Sequence, residues 1–159
     1  MPRASVSVVG SSAATARESA WAEEVGRLLA QNGIVLICGG MGGVMEAACR
    51  GAKSAGGLTV GILPVANRDG GNAFLDVVIP TGMGYARNAI VVYSGEAVIA
   101  IGGSSGTLSE IAYATIKSIP VVTLGSWRLK ERELSHGMCP IPARTPAEAV
   151  EKVLELVGR

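Results

Sequence analysis

The residues best suited to chemistry lie in "IGGSSGTLSEIAYA", Ile101 to Ala114. Glycines and serines end an apolar run, and Thr107 is followed three residues later by Glu110. Thr-x-x-Glu ahead of an apolar segment fits a capping box, with Thr107 as the N-cap and Glu110 folding back on it. The same letters fit a second chemistry, in which free amides at a helix start cradle a phosphate and a carboxylate stands behind them. Two more turns have this build: "VVGSSAATA" (Val8–Ala16) and "LICGGMGGVMEAA" (Leu36–Ala48). Glycine lets a backbone turn sharply and approach a ligand closely. The candidate ligand contacts are therefore Gly10 and Ser11, then Gly39, Gly40, Gly42 and Gly43, then Gly102, Gly103, Ser104, Ser105, Gly106 and Thr107. None of the turns has GxGxxG spacing, and no Lys-Ser or Lys-Thr closes a Walker A loop. The phosphate chemistry they suggest is generic, and neither NAD binding nor ATP hydrolysis is indicated.

Arg87 follows "PTGMGYA", where another strand pattern has just ended. It reads either as a solvated helix charge or as a guanidinium on the same rim, able to hold a phosphate or carboxylate in bidentate fashion. Glu46 falls in the first turn after Gly39–Gly43. A carboxylate there suits the helix dipole, and it would compete with a phosphate for that helix end. A single histidine, His136, and scattered cysteines make no metal site. Cys38 reads as core.

The elements that must position these residues alternate. Strand patterns cover Ala4–Gly10, Ile34–Cys38, Leu58–Pro64, Leu75–Pro80, "EAVIAIGG" and "IPVVTLG". Helical patterns cover Ser11–Asn32, Val44–Ser54, Gly84–Tyr93, Thr107–Ser118 and the terminal "PAEAVEKVLELVG", with Pro146 suited to a first turn. Ser126–Pro146 reads as irregular, and Asn67–Asn72 as a loop able to cover a ligand. The expected fold is a Rossmann-like three-layer α/β/α domain over residues 1–159, with a mostly parallel sheet of about six or seven strands. Ligands in such sheets bind beyond the carboxyl ends of the strands, and all three glycine turns lie there.

Composition narrows the partners. The chain has 159 residues, 48% of them apolar and only 4% aromatic, so Val, Ile, Leu and Ala must build the core. A formal charge of +1 with few stacking residues argues against nucleic acid. No apolar run is long enough to span a bilayer. "MPRASVSVVG" enters a strand pattern directly, so no secretory signal is visible and a cytoplasmic location is expected. Three cysteines without a CxxC pair fit reduced thiols.

Together these motifs resemble the superfamily once labelled "possible lysine decarboxylase". It includes the LONELY GUY cytokinin-activating phosphoribohydrolases and the molybdenum-cofactor carrier proteins. The resemblance covers nearly the whole chain and is carried by "GGMGGVMEAACRGAKSAGG" (Gly39–Gly57), "GILP" (Gly61–Pro64), "ARN" (Ala86–Asn88) and "GGSSGTLSE" (Gly102–Glu110). The hydrolase hallmark is proline-Gly-Gly-any-Gly-Thr-any-any-Glu. Gly103, Gly106, Thr107 and Glu110 match it, whereas Gly102 replaces the proline and Ser104 the second glycine. The family's catalytic Arg falls on Arg87, but the usual following Lys is Asn88. These departures, Glu46, the short chain and the "GILP" strand look more like the carrier branch. No lysine has a recognisable pyridoxal-phosphate setting, so the decarboxylase label lacks chemical support.

Two functions follow from the resemblance. One is binding of a phosphorylated small molecule, molybdenum cofactor or a nucleotide monophosphate, with no resident cofactor required. The other is hydrolysis of the N-glycosidic bond of a nucleoside 5'-monophosphate. In that reaction Glu110 would stabilise an oxocarbenium-like transition state or activate water, and Arg87 would position the substrate. The family also implies a homo-oligomer, a dimer or tetramer. The apolar stretches Ala89–Ile101 and Ile111–Val122 agree, since they exceed what one small sheet readily covers.

Overall fold

The computed structural model describes residues 2–134 and 138–158, so His136 lies outside the described residues. Seven strands form one sheet: β1 (Ser5–Gly10), β2 (Val35–Cys38), β3 (Thr59–Leu63), β4 (Val77–Pro80), β5 (Ala97–Ile101), β6 (Val121–Leu124) and β7 (Ile141–Ala143). Their order is β4-β3-β2-β1-β5-β6-β7. Every pairing is parallel, so the expected mostly parallel sheet is wholly parallel. β7 emerges inside Ser126–Pro146, which read as irregular; three residues pairing with β6 leave too short a pattern to recognise.

Strand faces alternate, and the two faces differ. Val6 and Val8 of β1 join Leu36, Ile99 and Ile101 in a core covered by α1 (Ala16–Gln31), α2 (Val44–Ser54) and α5 (Pro146–Leu156). Val9, Ile37, Ile62 and Val98 face the other way, under α3 (Arg87–Tyr93) and α4 (Ser105–Ile116). Val98, Ile99, Ala100 and Ile101 are all fully buried, as a central parallel strand requires. Cys38 and Cys49 are buried in the first core with their sulfurs 3.5 Å apart.

Helix starts differ from expectation in three places. α3 begins at Arg87, three residues after the expected Gly84, because Gly84–Ala86 forms a 3-10 turn ahead of it. α1 begins at Ala16, because Thr15 caps it: Glu18 N–H donates to Thr15 Oγ1 (3.2 Å) and Thr15 N–H donates to the Glu18 carboxylate (2.9 Å). Ser11–Ala14 is thereby left as the turn itself. α4 begins at Ser105 with Ser104, in extended conformation, as its N-cap. Thr107 is in the third helical position, where its Oγ1 accepts the Ser104 N–H at 3.3 Å. The capping box expected of Thr107 and Glu110 is therefore absent. Glu110 lies one turn deeper, and its side chain is released from capping.

Beyond β1 the chain order reverses: β2 is its neighbour on one side and β5 on the other. A crevice opens at such a switch point, outside the carboxyl ends of the strands.

Candidate functional site

A cavity of about 570 Å³ occupies that crevice, well sized for a small ligand. Gly10 and Ser12 reach it from the end of β1, Gly39 from the end of β2, and Ser104, Ser105, Gly106 and Thr107 from the start of α4. Arg87 and Asn88 enter from α3, and Glu110 from the second turn of α4. The two residues read as chemistry-bearing, Arg87 and Glu110, thus share one cavity with all three glycine turns. Ser11, Gly40, Gly42, Gly43, Gly102 and Gly103 do not line it. Glu46 also stays off the wall.

Glu110 is 6% exposed. Burial pushes its carboxyl up to about 7, with the nearby Arg87 charge partly opposing the rise. Burial pushes the Arg87 guanidinium down from its ordinary value, and the Glu110 charge opposes that shift. No hydrogen bond joins the two among the described residues. Arg87 Nη1 donates to Asn88 Oδ1, while Arg87 Nε is buried with no hydrogen-bond partner among the described residues. A buried donor left unpaired costs free energy, on the order of 1–3 kcal/mol, and more for a charged group. Nε is closed to solvent, so the end of the guanidinium that a ligand acceptor could reach is Nη2, which has no hydrogen-bond partner among the described residues and is not closed off.

The helix start adds neutral donors. The first amides of an α-helix have no partner within it, and Ser105 and Gly106, which carry the first two of α4, line the cavity. Gly106 itself is not crowded. A Cβ there would meet nothing nearer than 3.8 Å, and its backbone is ordinary helix, so the fold does not require glycine at this position.

Gly39 is glycine for a different reason. A Cβ would come within 2.9 Å of Arg87 Nη2 and 2.7 Å of Met45 Sδ, so the guanidinium lies across the Gly39 backbone. Apolar side chains from Val9, Met41, Met45 and Pro64 also line the cavity, Met45 beside the guanidinium. Tyr85, 86% exposed, stands on the rim. The Asn67–Asn72 loop does not reach the cavity. Asn72 ties it instead to the back of the second glycine turn, its N–H donating to Gly40 O (2.9 Å) and its Nδ2 to Met41 O (3.0 Å).

The family model described as SLOG cluster4 matches residues 3–150. The chain belongs to the SLOG cluster4 family. An uncharacterized protein of Archaeoglobus fulgidus is 49% identical to this SLOG protein over 129 residues, 81% of this chain and 80% of that one. Among solved structures, the molybdenum cofactor binding protein from the phototrophic bacterium Rippkaea orientalis is 36% identical. It superposes with a TM-score of 0.89 and each chain is covered to 99%. The Moco carrier protein from Chlamydomonas reinhardtii is 32% identical with a TM-score of 0.86, again over 99% of both chains. These neighbours agree with the carrier-branch resemblance carried by the sequence motifs.

The SLOG chain also gives a physical reason for one departure from the hydrolase hallmark. Gly102 has φ +58°, and its Cβ would meet the Glu18 carboxylate at 2.1 Å. Proline is fixed near −65°, so the hallmark proline cannot occupy this turn as it runs here. Reading the sequence by turns missed Val9, Met41, Met45, Pro64 and Tyr85. Pro64 lies in a motif that carried the resemblance and Tyr85 in the segment before Arg87, but the apolar lining had no separate signal because Met and Val also read as core.

Proposed function

We propose that this chain binds a phosphorylated small molecule in the switch-point cavity, in the manner of a carrier. The phosphate would rest on the Ser105 and Gly106 amides and the Arg87 guanidinium, and the rest of the ligand on the apolar side chains. The observation that carries this reading is that the Arg87 guanidinium and the start of α4, whose first amides have no partner within the helix, line one cavity at the switch point. Molybdenum cofactor is the leading cargo, because the neighbours at 36% and 32% identity are named for binding or carrying it. The donor set suits its phosphate end. A nucleotide monophosphate offers the same group to the same residues.

A second reading, N-glycosidic cleavage of a nucleoside 5'-monophosphate, rests on Glu110. A carboxyl held near 7 in a cavity is suited to exchange a proton at neutral pH. The Gly102 turn speaks against it, since it is incompatible with the hallmark proline. Incubation with AMP and related monophosphates, with free base assayed, separates the two readings. Carrier function predicts phosphate and AMP binding without base release. Turnover that disappears in Glu110→Gln would replace it with the hydrolase.

We further propose self-association through the α3–α4 side. Ile90 and Tyr93 on α3 and Ile116 on α4 are 37%, 44% and 59% exposed, and Tyr93 packs edge-on against Tyr113 at 6.2 Å. Ile116→Glu is expected to shift sedimentation toward the monomer. An unchanged sedimentation profile would exclude this face.

A further inference from the structure

Asn88 occupies the position where the hydrolase pattern has lysine, and its contacts form a chain with one possible direction. The residue is 3% exposed, in the first turn of α3. Its Oδ1 accepts from Arg87 Nη1. A guanidinium only donates, so the amide cannot be flipped. Its Nδ2 then donates to Ser109 Oγ (3.2 Å), and Ser109 Oγ donates to Gly106 O (2.6 Å). Ser109 has one proton and gives it to Gly106, so it must accept from Asn88. The chain runs from the Arg87 guanidinium to the first turn of α4.

We infer that Asn88 is a positioning residue that fixes the Arg87 guanidinium with a neutral acceptor and registers it against the start of α4. This deepens the ligand-binding reading above and rests on it for its functional consequence. The neutrality matters. A carboxylate at this position would also hold the guanidinium, but it would neutralise the charge offered to an anion and could not donate to Ser109. A lysine would place a second cation beside Arg87 and accept nothing. Asparagine adds no opposing charge to Arg87 and uses only Nη1, so Nη2 stays available.

The test has a ligand-free arm and a binding arm. In the first, ¹⁵N spectra of the arginine side chains report whether the Arg87 guanidinium rotates. Separate Nη1 and Nη2 resonances are expected in the wild type and averaged ones in Asn88→Ala. Ser109→Ala, which breaks the next link at a half-buried residue, is expected to loosen Arg87 less and covers the case in which Asn88→Ala fails to fold. In the second arm, inorganic phosphate and AMP are titrated calorimetrically. Asn88→Ala is expected to weaken both by about tenfold, the scale of a hydrogen bond to a charged group. Asn88→Asp, nearly identical in shape, is expected to lose more. In an Arg87→Ala background, Asn88→Ala should cause no further loss. Arg87 resonances unchanged by Asn88→Ala or Ser109→Ala would overturn the inference, and so would equal losses with and without Arg87. A wild type that binds neither phosphate nor AMP, yet loses its fixed guanidinium in Asn88→Ala, would leave the positioning role standing and remove the ligand reading instead.

Discussion

Two glycine-rich turns flank the end of β1, one after β2 and one after β5, and their glycines serve different ends. In Gly39–Gly43, Gly43 caps α2 at φ +62°, with its Cβ direction blocked by Ser11 O at 2.2 Å. Gly39 is kept small by the arginine above it. In Gly102–Thr107, Gly102 is imposed by its backbone, but Gly106 has neither a strained φ nor a crowded neighbour. The fold requires neither Gly42 nor Gly106, and of these two only Gly106 is on the cavity wall, at the start of a helix. A glycine-rich motif therefore carries functional information only after the glycines required by the backbone have been set aside.

The largest expected effect breaks the structural half of that comparison. Gly43→Ala combines a left-handed backbone with a clash against a main-chain oxygen, together costing about 4 kcal/mol. Urea unfolding should show the midpoint fall with an unchanged slope. A loss below about 1 kcal/mol would mean that the turn relaxes freely and that Gly43 is as dispensable as Gly106.

Next in size is Glu110, whose burial is the electrostatic counterpart of that open wall. Its carboxyl is raised from 4.5 to about 7, so the folded protein holds the proton more tightly than the unfolded chain. The corresponding stability is fully present below about pH 4.5 and is lost as pH rises through about 7, a fall on the order of 3 kcal/mol. Glu110→Gln should remove this component, so unfolding measured at pH 5 and pH 8 should differ less in the variant than in the wild type. Equal pH dependence in both proteins would show that Glu110 is not the group titrating.

The fold was legible because each βα unit has its own apolar run and its own stop. The site was legible only in part, for a reason seen in one pattern. Thr-x-x-Glu occurs three times. Thr15–Glu18 forms a reciprocal cap, and Thr145 Oγ1 accepts the Glu148 N–H at 3.1 Å. At Thr107–Glu110 the helix starts one turn earlier on Ser104, and the carboxylate turns into the cavity. Local spacing cannot distinguish these cases, because Ser104 and Thr107 are both competent caps and tertiary packing selects between them. The Asn88–Ser109 link was illegible for a similar reason, since it joins residues 21 positions apart through the meeting of α3 and α4.

Gly39→Ala sharpens the comparison from the other side. Its new methyl would meet the far ends of Arg87 and Met45, both flexible, so the stability loss should stay near 1 kcal/mol. The guanidinium must shift, however, and phosphate binding should weaken by about tenfold. Calorimetry beside a thermal melt reads both quantities. A loss of stability without a loss of binding would make Gly39 purely a packing glycine and detach Arg87 from the ligand.

The smallest stability effect is the most discriminating. Gly106→Ala should stabilise the protein by about 0.5 kcal/mol, since alanine suits a helix better and the methyl has room. The same methyl would stand on the cavity wall beside the amides, so phosphate binding should fall even as the melting temperature rises. Gly42→Ala is the matched control: its Cβ would meet nothing nearer than 3.7 Å, and it does not line the cavity. It should leave both readouts within about 0.5 kcal/mol of the wild type. If Gly106→Ala binds phosphate as well as Gly42→Ala does, the open start of α4 is not where the ligand rests, and the contrast between the two turns is one of packing alone.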